Sequence, residues 1–348
     1  MGNLLTYSGM VTKIHAMRAK LLKPQQFEEI AGLHNVTEVV SYLKELPAYA
    51  DFLADIDETK LHRGDIEKIL IQSLYRDYSK LYRFSSLEQR KFLKLYLKRY
   101  EINLINYCFR IVINHYEEPF DLNYKRPFFD QYSQISIEKL ITSRTTDELI
   151  DNLKGTEYYA PLQKVRDSKS ATLFDYDLTL DLYYFNIVWK NRKKSLSKGE
   201  QELFTRDTGT KIDLLNVQWI YRAKKYFHMQ PADIYALLVP IHFHIKTDQI
   251  KEMVECSTPE ELLVLLNKTR YGRKYDFEQS ITIEQMYLDC LNHLYTIDGR
   301  NHPHSIAALN TYLFLKETEL DKLTTALECI RYSLGQGETL GYLGGVTK

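Results

Sequence analysis

Cysteine is scarce in this chain and nothing pairs it. The four copies among 348 residues, Cys108, Cys256, Cys290 and Cys329, lie far apart with no CxxC spacing. A disulfide scaffold or thiolate metal site is therefore not read from them, and they are expected as small buried side chains in a reducing, cytoplasmic compartment. Charge of one sign is also missing: 46 basic residues balance 46 acidic ones, which argues against a nucleic-acid binder working through a broad positive field. The longest apolar run, near "IYALLVPIHFHI", is too short to cross a bilayer, and no basic segment followed by an apolar one opens the chain. "MGNLLT" fits the myristoylation pattern, which is short enough to arise by chance. The 14 glycines build no GxxxxGK[ST] or GxGxxG loop, so no cofactor is expected. Segments that alternate like strands are few.

What remains is helical periodicity, and it recurs. With 44% hydrophobic residues the chain can bury a large core, and three- and four-residue apolar steps dominate it. "IAGLHNVTEVVSYLKELPAY" from Ile30, "LITSRTTDELIDNLKGTEYY" from Leu140 and "MVECSTPEELLVLLNKTRYG" from Met253 align without a gap through Glu38, Glu148 and Glu261, at offsets of 110 and 113 residues. Asn35, Thr145 and Thr258 stand three residues before those glutamates, the spacing of an N-cap and its reciprocal acid. Downstream, "LYLKRYEINLINYCF" from Leu95, "TRDTGTKIDLLNVQWI" from Thr205 and "LFLKETELDKLTTAL" from Leu313 align through Ile102, Ile212 and Leu320. The chain is thus read as an all-α protein of three homologous helical repeats, 1–118, 119–230 and 231–335, with a glycine-rich tail at 336–348 expected to be flexible or ordered by a partner. Gly335 is the expected left-handed end of the last long helix.

One break in the pattern recurs with the repeats. Ile306, Leu309, Leu313, Leu320, Leu323, Leu327, Ile330 and Leu334 form one helix face, yet Lys316 interrupts it, flanked by Glu317 and Glu319. The aligned positions hold Lys98 and Thr208. A charged side chain in a dry core costs several kcal/mol unless paired. Either each lysine pairs or snorkels at the edge of its stripe, or the three helices surround an open space lined by Lys98, Glu101, Asn103, Asp213, Asn216, Lys316 and Glu319.

Signals for chemistry are weak. His242 and His244, and His302 and His304, each offer two ligands to a metal, without further ligands at suitable spacing. These histidines are placed at helix ends, with Pro303 starting the last long helix. "KNRKKSLSK" from Lys190 reads as a solvated loop.

At "HPHSIAALNTYLFLKETELDKL", "KIDLLNVQWIYRAKKYF" and the opening "YSGMVTKIHAMRAKLL" with Arg18, the sequence resembles the d subunit of the rotary V-type ATPase, called the C subunit in prokaryotic V/A-type enzymes. The resemblance covers essentially the whole chain. It implies a non-catalytic, funnel-shaped protein with pseudo-threefold symmetry around a central polar cavity. Such a protein joins the central axle, of D and F type subunits, to the membrane rotor ring at the cytoplasmic face and transmits torque. No nucleic acid and no small-molecule substrate are implied. The inward polar residues above, with Arg222 and Glu317, are the expected axle contacts, and replacing Lys98, Glu101, Lys316 and Glu319 together is expected to weaken axle binding without unfolding the protein. The middle copy departs from the pattern at Thr208, where "RDTGTK" is expected to shorten or kink its helix. Two rivals share parts of the pattern: a helical-repeat adaptor of another assembly, packed as a solenoid, and a metal-dependent hydrolase using the histidine pairs.

Overall fold

The structure, a computed structural model, describes residues 2–57, 60–61, 63–115, 121–168, 171–274 and 282–344, and among these it is helical with no strand. It divides into two compact units, one joining Met1–Ser86 to Tyr295–Lys348 and the other running Leu87–Leu294. These boundaries differ from the repeat boundaries read from the sequence.

The first unit opens with α1 (Gly2–Arg18), followed by the short α2 (Pro24–Ala31), α3 (Val36–Lys44) and α4 (Ala50–Leu53) and the long α5 (Arg63–Phe84). The second holds α6 (Leu87–Ile113), then α7 (Arg126–Tyr132), α8 (Ile137–Leu140), α9 (Thr146–Asp151) and α10 (Tyr159–Arg166). Two long helices follow, α11 (Leu173–Ser195) and α12 (Lys198–Lys225), and then α13 (Pro231–Leu237), α14 (Thr247–Glu255), α15 (Pro259–Asn267) and α16 (Arg270–Lys274). The chain leaves that unit along α17 (Ile283–Asn301) and completes the first with α18 (Ile306–Arg331) and α19 (Gln336–Tyr342).

Apolar spacing explains the packing of each unit. In the first, α1 buries Tyr7, Met10, Val11, Ile14 and Met17 along one face, and α1, α5 and α18 pack on one another. Seven of the eight apolar positions of the stripe are buried along α18, whose 26 residues rise about 39 Å, while Leu334 lies beyond the end of the helix and is half-buried. In the second unit, α6 packs along α11 and α11 along α12. Phe92 and Phe204 meet edge to face within it, their ring centroids 5.9 Å apart.

The short helices are capped as their sequences predict. Asn35, Thr145 and Thr258 accept from the backbone N–H groups of Glu38, Glu148 and Glu261 at 2.9, 3.2 and 3.2 Å. The glutamates reciprocate one residue earlier than the usual box, accepting from the N–H groups of His34, Arg144 and Ser257 at 2.8, 2.8 and 2.7 Å.

Four expectations are corrected. The "RDTGTK" segment neither shortens nor kinks α12, which runs unbroken over 28 residues. Gly209 is there because a Cβ at that position would lie 2.5 Å from the ring of Phe243. The basic run at 190–198 is the last turns of α11 and the start of α12, where Arg192, Lys193 and Lys194 oppose the negative helix end. Pro303 lies outside α18, which Ser305 caps by accepting from Ala307 N–H at 3.1 Å. Finally, α18 ends through left-handed Ser333 (φ 56°) while Gly335 has φ −68° and starts α19. The segment 336–342 is therefore helical: α19 packs on α2 and α18, and Gln336 donates to the Glu28 carbonyl at 2.9 Å. Residues 345–348 of the expected tail lie outside the described residues. Non-glycine residues with positive φ also follow α6 and α12, at His115 and His228.

Candidate functional site

The polar residues of the long helices are held by short-helix tyrosines. After Glu38, Glu148 and Glu261, each capped helix leads within 11, 10 and 10 residues to a tyrosine, Tyr49, Tyr158 and Tyr271. Tyr49 and Tyr158 sit immediately before α4 and α10, and Tyr271 is in α16. Each hydroxyl donates to a carboxylate on a long helix: Tyr49 to Glu319 of α18 at 2.6 Å, Tyr158 to Glu101 of α6 at 2.5 Å and Tyr271 to Asp213 of α12 at 2.8 Å. All six residues are at least nine-tenths buried.

A second set of contacts comes from the segment preceding each short-helix group. Leu22 N–H donates to Glu319 at 2.6 Å. The Ser133 hydroxyl donates to Glu101. The N–H groups of Phe243, His244 and Ile245 donate to Asp213 at 3.1, 2.6 and 3.1 Å. One turn further along α12, Asn216 grips the same segment from both sides of its amide, accepting from Val239 N–H at 2.9 Å and donating to the Val239 carbonyl at 3.0 Å.

Lys316 explains itself in this setting. Its ammonium, 2% exposed, donates to Glu319 at 2.7 Å and to the Tyr49 hydroxyl at 2.9 Å, and lies 4.6 Å from the Tyr49 ring centroid. A buried charge persists only with such partners. One turn toward the N-terminus of α18, the Tyr312 hydroxyl donates to Asp77 of α5 at 2.6 Å. Lys98 behaves differently, pairing with Glu157, the neighbour of Tyr158. Burial lowers the Lys98 pKa while Glu101 raises it.

The electrostatics favour neutral hydroxyls as donors. Burial, and then the nearby Glu319, pushes the Tyr49 hydroxyl well up. Burial and Glu101 do the same to Tyr158. The Asp213 carboxyl is also raised by burial, against the pull of its backbone donors and Tyr271. The arrangement ties the long helices to the short-helix segments.

Residues 10–342 match the family model described as the ATP synthase (C/AC39) subunit. The chain belongs to that family. Its relatives include proteins named as the C subunit of an A-type ATP synthase. One from Methanosarcina mazei is 27% identical over 268 residues, which covers 76% of this chain and 71% of the relative. The Thermococcus kodakarensis protein is 25% identical over 337 residues, covering 93% and 86%. That of Pyrococcus horikoshii is 26% identical over 334 residues, with 93% and 86% covered.

In this C/AC39 chain the nine expected contact residues divide by burial. Glu101, Asp213, Asn216, Lys316 and Glu319 are buried and bonded within their own units, which corrects the expectation that they face open space. The physical reason is that a chain carboxylate accepts several buried donors at once, so a polar interruption in an apolar stripe serves as a joint. Asn103 and Arg222 are exposed, and Lys98 and Glu317 half-buried; Arg222 has Glu284 3.8 Å away. Tyr49, Tyr158 and Tyr271 were missed from the sequence, although they align once a single gap is allowed. Among the described residues no three His, Cys, Asp or Glu side chains are placed to hold a metal, and no helix is long and apolar enough to cross a membrane.

Proposed function

We propose that this chain is a non-catalytic central-rotor subunit that joins the axle of a V/A-type ATPase to its membrane ring and transmits torque between them. Its three repeats stand with pseudo-threefold symmetry around a central polar cavity that receives the axle, of D and F type subunits. It works at the cytoplasmic face, held to the membrane through the ring. The observation that carries this reading is the order of the tyrosine contacts. Tyr49 of the first repeat holds Glu319 of the third, Tyr158 of the second holds Glu101 of the first, and Tyr271 of the third holds Asp213 of the second. The order is cyclic. A solenoid adaptor would restrict each repeat to its neighbours in sequence, whereas contact between the first and third repeats supports a closed set of three.

Torque needs helices that resist sliding. Close-packed interiors deform little, and a buried carboxylate taking several donors resists shear because moving the helix would strand all of them together. The axle-facing contacts then fall to polar side chains not built into these joints, of which Asn103, Lys98, Arg222 and Glu317 are the candidates. Affinity purification of the tagged chain from its native membrane tests the reading: axle and ring subunits are expected with it, and their absence from a preparation that retains other ATPase subunits would overturn it. Substituting Asn103, Arg222 and Glu317 by alanine together should reduce the axle subunits recovered while leaving the thermal transition in place.

A further inference from the structure

A second feature of the first unit is unrelated to the joints' order. Between α1, α5 and α18 lies a cavity of about 70 Å³ whose charged lining is Lys13, Lys20, Arg76, Lys80, Lys316 and a single carboxylate, Asp77. That carboxylate is already engaged by the Tyr312 hydroxyl at 2.6 Å and by Lys80 at 3.3 Å. Lys316 is matched by Glu319, and Arg76 by Asp51 at 3.4 Å on the outside. Half-buried Lys13, whose ammonium lies 5.2 Å from the Phe84 ring centroid, and exposed Lys20 have no acidic partner among the described residues, so the rim of the cavity carries two positive charges in excess.

One donor beside the cavity is also unused. Arg76 gives its terminal nitrogens to Asp51 and to the Ala48 carbonyl at 3.0 Å. Its Nε is buried with no hydrogen-bond partner, Asp77 standing 3.9 Å away, beyond bonding reach. A buried, unsatisfied donor on a cation is costly and calls for an acceptor. Lys80 responds to the same crowding, its pKa lowered by burial and further by Arg76 and Lys13 against the pull of Asp77.

We propose that this cavity is a binding site for a doubly charged oxyanion of the phosphate class. Two surplus charges match a dianion, and the lysines supply adaptable donors to it. The volume admits one such group in place of two or so waters, each of which fills about 30 Å³ of liquid. A larger molecule would enter by its phosphate end alone. The ion would come either free or as the headgroup of a phosphomonoester lipid.

The test uses the full chain and a variant, Lys13→Gln with Lys20→Gln, which alters no ion pair. Calorimetric titration with inorganic phosphate, at ionic strength held constant with chloride, should show saturable binding that the variant weakens by at least about tenfold, since each charge-assisted bond contributes about that much. Flotation with phosphatidic acid vesicles, compared with phosphatidylserine vesicles of equal charge, separates the sources. Phosphate binding lost in the variant supports a free ion, and selective flotation lost in the variant supports the lipid headgroup. Absence of both, or binding the variant retains in full, overturns the proposal. The wild-type and variant melting points without phosphate establish that any loss is not unfolding.

Discussion

Removing Glu319 should do far more damage than removing the lysine beside it. In Glu319→Ala, Lys316 stays 98% buried with its carboxylate gone, the Tyr49 hydroxyl loses its acceptor and Leu22 N–H is stranded. Breaking a buried ion pair by deleting one partner costs about 3–5 kcal/mol, and the orphaned N–H adds to that. In the first unit this corresponds to a fall in melting temperature of roughly 10–15 °C, taking about 3 °C per kcal/mol. Lys316→Met leaves Glu319 with both remaining donors, so about 1–2 kcal/mol is expected. The double variant Lys316→Met, Glu319→Gln strands no charge, and its loss should fall short of the summed losses of Lys316→Met and Glu319→Gln by about 2 kcal/mol. Urea unfolding followed by circular dichroism measures all four variants against the wild type. Additive losses, or a cost below about 1 kcal/mol for Glu319→Ala, would refute the reasoning that the stripe's interruption is a joint.

Three further outcomes follow from the same contacts. Tyr271→Phe should destabilise less than Tyr158→Phe, because Asp213 keeps three backbone donors while Glu101 keeps only Ser133; a difference of about 1 kcal/mol in chemical denaturation is expected. Gly209→Ala should cost about 1–3 kcal/mol, since the new methyl collides with Phe243, and Gly209→Ala with Phe243→Leu should recover part of it. Lys125 is pushed by burial down to about 8 from the ordinary 10.5. Between those values the unfolded chain binds more protons than the folded one, so the lysine's contribution makes stability rise with pH there, by about 3 kcal/mol at most. The penalty is fully present below pH 8. Subtracting the denaturation profile of Lys125→Met from that of the wild type should isolate this rise, and a flat difference would contradict it.

The helical content, the three capped helices and the long stripes were legible because each rests on local periodicity and on residue types with a fixed backbone role. Asn35, Thr145 and Thr258 announce a helix start wherever they fall before a glutamate. The settings of Lys316 and Glu101 were not legible, because their partners lie 267 and 57 residues away in sequence. A polar residue in an apolar stripe reads identically whether it faces water or a buried tyrosine. The middle repeat hid the joint further by moving its carboxylate two residues along, from the position of Lys211, which aligns with Glu101, to Asp213. Gly335 misled for a related reason: the left-handed residue required at the end of α18 is Ser333, a residue type that carries little such signal.

In the proposed role this chain turns with the axle. A rotation assay on the complex purified from native membrane tests it most directly: the peripheral stalk is fixed to glass, a probe is attached at an exposed position of the chain, and ATP is supplied. The probe is expected to rotate in one direction while ATP is hydrolysed and to halt when hydrolysis is inhibited. A probe that stays fixed while one on the axle rotates would contradict it.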